Sequence, residues 1–360
     1  MKEELIEFEL EKNVFYNPKM HFCRSISSLG VGTIEKELII ADGFSASGIR
    51  GLRYLKENDN VLKCIFIDCN ENAIHYMKSN IKKNKLTKKS KVISGDFNRK
   101  IREFECDLIE IDPFGSPVPY LFDSIRSIIK KKKAFLSITA TDTAVLCGPH
   151  SAACMKNYHS KSLNNEFTHE SGIRILIKRV LETCLENNFG VSPMFSLSDQ
   201  HYFKLFLELK KGDDYCLDSI SKIGYTSFCT ICGNRTYGKI MQNICECGNK
   251  MVYAGPIWTG ELHNPDFISH MLLNNKNRDY FHKQKLDKIL NIMKYEFDFP
   301  PYFYDLHQLS RFTKNSFIPK TEFAINKIIE AGYKAVKTHF LSSGIKTDAK
   351  IGAIKKILYP

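Results

Sequence analysis

Four apolar runs in the first third of the chain each stop at an aspartate. They cover residues 37–42, 62–68, 91–96 and 108–112, and end on Asp42, Asp68, Asp96 and Asp112. Runs this short, bounded by turn residues and separated by helical periodicity, read as buried strands of a parallel sheet. Between the second and third, Ala73, Ile74, Met77 and Ile81 recur at helical spacing and supply a core face. A fifth run at 134–140, then a pair at 191–197 and 202–209 read as a closing antiparallel hairpin, complete the set. This alternation predicts an α/β, Rossmann-like domain over about residues 1–212. In such a sheet, ligands bind outside the carboxyl ends of the strands, where all four acids fall.

Each strand end suggests its own task. Residues 43–50 follow the first strand as a turn of small side chains ending at Arg50. Small residues let a ligand approach the backbone, and the next helix start offers amide donors. The Gly-x-Gly-x-x-Gly of dinucleotide sites is missing there, which removes the argument for pyrophosphate. Asp68 ends the second strand, where a carboxylate typically bonds ribose hydroxyls. Asp96 and Phe97 offer an acceptor for an adenine amino group and a ring beside the base. Asp42, Asp68, Asp96 and Phe97 together outline an adenosine-type crevice.

The fourth end is Asp112-Pro113-Phe114-Gly115. Its carboxylate can accept N–H bonds, and its ring can stack on the planar base that carries them. The plainer alternative is a turn-forming Asp-Pro at a strand end. Residues 13–24 hold two aromatics, Asn17-Pro18 and then a helical stretch with Arg24. They read either as an arm packed on the domain or as a flap over a cofactor, with Arg24 pairing a carboxylate.

Other features read more simply. The basic run 130–133 is a solvated helix end. His150, His159 and His169 share no ligand spacing and read as structural or solvent-facing. Trp258 reads as packing. No apolar run approaches the roughly 18 residues a membrane span needs, and residues 1–7 are acidic with no signal core. A cytoplasmic protein is expected. The formal charge of +12 suits a polyanionic partner, with nucleic acid first.

Twelve cysteines divide into eight scattered ones and the cluster Cys229, Cys232, Cys245 and Cys247. That division fits a reducing compartment and one structural Zn2+, since four thiolates leave no open position for catalysis. Residues 213–360 are read as a second, α+β domain that binds RNA. It holds the zinc ribbon at 229–247 and a winged-helix-like, helix–turn–helix module at 305–337. Arg311, Lys314, Lys320, Lys327, Lys334, Lys337, Lys346, Lys350, Lys355 and Lys356 face few acids and form the expected RNA-contacting surface.

Residues 14–18, 45–54, 112–117, 139–148, the cysteine cluster, 255–258 and 338–349 run in an order that resembles the tRNA (guanine-26-N2)-dimethyltransferase family, in its compact archaeal form. The resemblance implies a class I methyltransferase domain, S-adenosyl-L-methionine as donor, and the N2 amino group of guanine 26 in tRNA as acceptor. It implies Arg24, Arg50, Asp68, Asp96 and Phe97 around the cofactor, Asp112 as the catalytic residue, and zinc on the four cysteines. No obligate protein partner is expected. Two departures stand out: a short segment before Val14, and a second cysteine pair with one intervening residue. In this reading Asp112 accepts the amine proton, the Pro113 carbonyl takes the second N–H, and Phe114 stacks on a base turned out of its stack. Two alternatives are an amino-methyltransferase of another RNA or DNA base, and a non-catalytic RNA-binding protein of the same fold. The stretches around Trp258 and at 346–349 weigh against the first, and the intact acids against the second.

Overall fold

The computed structural model describes residues 1–10 and 14–360. One sheet holds β1 (Leu38–Gly43), β2 (Val61–Asp68), β3 (Ser90–Ser94), β4 (Leu108–Ile111), β5 (Lys133–Ala140), β6 (Phe189–Asp199) and β7 (Tyr202–Lys211). Their order is β3-β2-β1-β4-β5-β7-β6. β7 alone is reversed, antiparallel to both β5 and β6. The central strands are apolar on both faces because helices cover both faces. β6 contains Pro193, which an edge strand tolerates because its missing amide leaves no central ladder bond unmade.

Chain order reverses between β1 and β4, which pair side by side. A crevice opens at that switch point, at the carboxyl ends. Around it stand α1 (His21–Gly32), α2 (Ile49–Glu57), α3 (Glu71–Lys83), α4 (Phe97–Ile101) and α5 (Val118–Ser127). The polar connection expected after β5 contains two short helices, α6 (Thr143–Leu146) and α7 (Ser151–Tyr158). The long helix α8 (Thr168–Leu185) follows. It is buried along most of its length, because it packs against β6 and against a strand of the second half, Val252–Trp258.

The sheet ends at Lys211, but the apolar core continues. Ile257, Trp258 and Leu262 share a core with Ile173 and Leu176 of α8. Helices Pro265–Lys276 and Lys283–Tyr295 place Ile268, Met271 and Leu290 against Ile26 and Leu29 of α1. Among the described residues, those from Tyr304 onward build a core of their own, from Leu306, Leu309, Ile328, Ile345 and Ile354. There, helices Leu306–Phe312 and Thr321–Glu330 precede a hairpin of Ala335–Lys337 and Gly344–Thr347 and a last helix, Ile351–Leu358. The hairpin's first strand lies within residues 305–337 and its second beyond them. No described helix is long and apolar enough to cross a membrane.

Candidate active site and zinc centre

Asp112 directly follows β4, its side chain 21% exposed. Arg50, in the first turn of α2, forms an ion pair with it and lies 3.6 Å from Glu110 Oε1. Glu110 is fully buried; it accepts the Tyr54 hydroxyl at 2.7 Å and Lys204 Nζ at 2.5 Å. Lys204 also donates to Thr139 Oγ1 at 3.2 Å, and Thr139 stands next to Asp112 across β4 and β5, one residue past the Ile111–Ile138 pair. Burial works to raise the Asp112 pKa. The charges of Arg50 and Lys204, with the Thr139 and Arg50 hydrogen bonds, overcome it and hold the carboxyl below its ordinary value. Asp112 is therefore an anion at neutral pH, an acceptor facing the crevice.

Asp42 has the opposite fate. It is 1% exposed and accepts the Gly51 amide at 3.1 Å. Burial, with help from Glu110 and Asp112 and against Arg50 and the Gly51 amide, pushes it up to about 8. It serves the crevice by holding α2 to β1 and has no exposed face for a cofactor.

Arg24 pairs a carboxylate, but one of the chain itself. It donates to both Glu3 oxygens, at 2.8 and 2.5 Å, and to the Asn17 carbonyl at 3.2 Å. Glu3 also takes Arg53 at 3.0 Å and the Tyr16 hydroxyl at 3.0 Å. For Arg24, the packed-arm reading is the one observed: a hairpin of Lys2–Glu3 and Ile6–Glu7 brings Glu3 to it.

Asp68 ends β2 half-exposed, bonding the amides of Ala46 at 2.7 Å and Asn70 at 2.9 Å. Asp96 is exposed and caps α4 through the Arg99 amide at 3.1 Å. The Gly95 amide bonds the Asp68 carbonyl at 3.0 Å, so these two acids border one edge of the crevice. Phe97 is buried, its ring 5.0 Å from Phe44 and 5.9 Å from Tyr120. A Cβ on Gly43 would lie 2.5 Å from the Phe97 ring, which explains the glycine. Asp68 and Asp96 line the edge of the crevice beside the small-residue loop that follows β1, with carboxylate oxygens able to accept hydrogen bonds from a ligand. No sequence signal points to Phe44 or Tyr120, because isolated aromatics carry no spacing.

Phe114 projects 77% exposed, packed edge-on against Phe15 with ring centroids 4.6 Å apart. Phe15, itself 52% exposed, was read only as part of an arm. Pro113 is buried. The turn is tied to residues 139–143: the Gly115 amide donates to Thr141 Oγ1 at 2.8 Å, and the Thr141 amide to the Gly115 carbonyl at 3.0 Å. Tyr158 joins Ser116, at 2.8 Å, to Asp142, at 2.7 Å. The expected polar stretch thus braces the Asp-Pro-Phe-Gly turn.

The four clustered thiols form one group. Cys229 and Cys247 sulfurs are 3.6 Å apart, Cys232 and Cys245 sulfurs 3.5 Å, and all four lie within 4.8 Å of one another. Zinc–sulfur bonds of about 2.3 Å at tetrahedral angles put sulfurs roughly 3.8 Å apart. The donor set and spacing therefore fit zinc. Gly233 and Gly248 take left-handed φ of 78° and 83° after each pair, which turns both knuckles inward.

Lys346 does not join the expected RNA surface: it is 3% exposed and pairs with Glu170 at 3.0 Å. Its strand crosses the joint to α8. Lys355 donates to the Cys232 carbonyl. Arg311, Lys314, Lys320, Lys334, Lys350 and Lys356 are exposed. A further polar group, His263, Glu296 and His339, was not read, because its members lie far apart in sequence. The Ser196 amide donates to His263 Nδ1 at 3.3 Å. A neutral His263 then carries its proton on Nε2, 3.4 Å from Glu296, and has no lone pair there for a metal.

The sheet order, its one reversed strand and the crevice between β1 and β4 are those of a class I S-adenosylmethionine-dependent methyltransferase. Comparison with known proteins narrows this. Residues 1–359 match the family model described as N2,N2-dimethylguanosine tRNA methyltransferase, and the chain belongs to that family. It is 37% identical to a tRNA (guanine(26)-N(2))-dimethyltransferase of Methanobrevibacter smithii, covering 96% of this chain and 91% of that one. It is 35% identical to a tRNA (guanine(26)-N(2)/guanine(27)-N(2))-dimethyltransferase of Aquifex aeolicus, covering 95% and 89%. Trm1 from Pyrococcus horikoshii, solved with S-adenosyl-L-methionine, superposes with a TM-score of 0.91 at 30% identity, covering 99% of this chain and 98% of that one.

Proposed function

We propose that this chain methylates the exocyclic N2 of guanine 26 in tRNA, in the cytoplasm, first once and then twice. The single observation that carries the chemistry is Asp112: an anionic carboxylate at the end of β4, paired with Arg50 beside an exposed aromatic pair. S-adenosylmethionine, when bound, would supply an electrophilic methyl on its sulfonium, the S–C bond pair staying with sulfur as the thioether leaves; Asp68, Asp96, Phe97 and the loop 43–48 are the residues that would hold it, with Arg50 at their back.

Guanine N2 is a weak nucleophile because its lone pair is delocalised into the ring. Asp112 accepts an N–H from it, which favours a pyramidal nitrogen, and takes the proton as the N–C bond forms. The Pro113 carbonyl is the acceptor for the second N–H. Phe114 and Phe15, exposed beside the carboxylate, offer ring surface to a base turned out of its stack. The exposed cations from Arg311 to Lys356 take the tRNA backbone, with Lys346 excluded. The zinc ribbon braces the joint, since Lys355 anchors the last helix to the Cys232 carbonyl.

Methyl transfer to a tRNA transcript, read by nucleoside analysis, tests this directly. Mono- and dimethylguanosine are expected from the native transcript and none from one carrying adenine at position 26. Equal methylation of both transcripts would refute the assignment.

A further inference from the structure

Asp112, Thr139 and Lys204 lie in one row across three strands. Ile111 pairs with Ile138, so the next residues, Asp112 and Thr139, are neighbours; Thr139 pairs with Lys204 across β5 and β7. Thr139 and Lys204 are fully buried. A fully buried lysine is costly unless its charge is matched, and Lys204 has Glu110 for that. Its second bond, to Thr139 Oγ1, does something else. A hydroxyl that accepts from an ammonium must send its own proton elsewhere. The available acceptor is Asp112.

We propose that Thr139 and Lys204 are positioning residues for Asp112, the lysine aiming the threonine hydroxyl at the carboxylate. The inference rests on the reading of Asp112 given above. Arg50 pairs the carboxylate on one side and Thr139 flanks it on the other, and its side chain keeps 21% exposure. Other groups around it come from every adjoining element: Asp42 at the end of β1, Glu110 on β4, Tyr54 on α2, and Cys23 of α1 and Tyr202 of β7, both next to Arg50. Asp42, pushed up to about 8, titrates on the alkaline side and does not overlap the acid limb that Asp112 governs.

The experiment is the pH profile of kcat/KM for methyl transfer, from pH 5 to 9, for wild type, Thr139→Val, Thr139→Ser and Lys204→Met. Wild type should hold its rate down to pH 5. Thr139→Val and Lys204→Met should lose about tenfold between pH 7.5 and pH 5, as the carboxyl pKa climbs into that range. Thr139→Ser should restore the wild-type limb, and S-adenosylmethionine affinity by calorimetry should stay within about twofold throughout. If Lys204→Met fails to fold because Glu110 loses its partner, Thr139→Val decides alone. A folded Thr139→Val with the wild-type acid limb overturns the proposal. Titration of the Asp112 carboxyl by carbon-13 NMR reads the same displacement without turnover. A wild type inert toward tRNA would therefore sink the proposed function while leaving this inference separately decided.

Discussion

Replacing Glu3 by glutamine should loosen the amino-terminal arm by a measurable amount. Glu3 is 2% exposed and bonds Arg24 through both oxygens, Arg53 through one and the Tyr16 hydroxyl through the other. Burial alone would raise its pKa, but Arg24 first and Arg53 and His21 after it bring it down from 4.5 to about 2. That difference corresponds to roughly 3 kcal/mol of stability at neutral pH. Arg53 keeps Glu57 at 2.7 Å in the variant, so the loss should lie near the low end of the roughly 3–5 kcal/mol for a broken buried pair. For a chain of this length that is a melting temperature lower by about 4 °C. Folding lowers this pKa, so the contribution is complete above about pH 4.5 and disappears as the pH falls toward 2. Urea unfolding of wild type and Glu3→Gln at pH 7, 5 and 3, followed by circular dichroism, should show a gap that is full at the first two and smaller at the third. A gap under about 1 kcal/mol at pH 7, or one equal at all three, would refute the ion-pair argument. The same variant should raise KM for tRNA more than it lowers kcat, because Arg24 also grips the Asn17 carbonyl and so sets the arm that carries Phe15.

Other perturbations have equally direct readouts. Asp112→Asn should cut methyl transfer by about 10^3-fold in single-turnover assays while S-adenosylmethionine affinity changes by less than about threefold. In Gly43→Ala the new Cβ meets the Phe97 ring at 2.5 Å and the Glu110 carbonyl at 3.0 Å; overpacking of about 1–3 kcal/mol and weaker cofactor binding by calorimetry should follow. Elemental analysis should find one zinc per chain, and Cys229→Ser should abolish it and lower the melting temperature, since metal binding is folding energy in such ribbons.

The sheet was legible because its strands are short apolar runs with an acid at the end, and burial on both faces demands that pattern. The zinc cluster was legible because ligand spacing is local. What stayed hidden was whatever depends on a distant partner. Glu110 and Lys204 each interrupt an apolar strand, and each looks like noise until β4, β5 and β7 lie side by side and the two charges meet. Lys346 reads as one more surface lysine, yet its strand carries it into α8 and onto Glu170. Arg24 reads either as part of a packed arm or as a cofactor flap's partner for a carboxylate, and it pairs Glu3 of the arm itself. The sequence pattern gave no way to know that the carboxylate would be Glu3.

The four strand-end aspartates show how one residue type, repeated at one kind of position, divides into separate roles. Asp42 is sealed under a glycine-bearing turn, and burial leaves it mostly protonated at neutral pH. Asp96 faces water and spends one oxygen on a helix start. Asp68 bonds two amides yet stays half-exposed at the crevice edge. Asp112 alone combines partial burial with two buried cations and a hydroxyl donor, so it alone is both anionic and confined. A base that must accept a proton from a poor nucleophile gains from confinement more than from a high pKa, because the carboxylate has to meet the nitrogen at one angle as the methyl arrives. The charge network beneath β4 follows from that need. Two cations, Arg50 and Lys204, balance two anions, Glu110 and Asp112, and Asp42 stays out of the balance by keeping its proton. Removing either cation therefore disturbs the site through the Asp112 carboxylate, even though Lys204 itself never reaches the pocket.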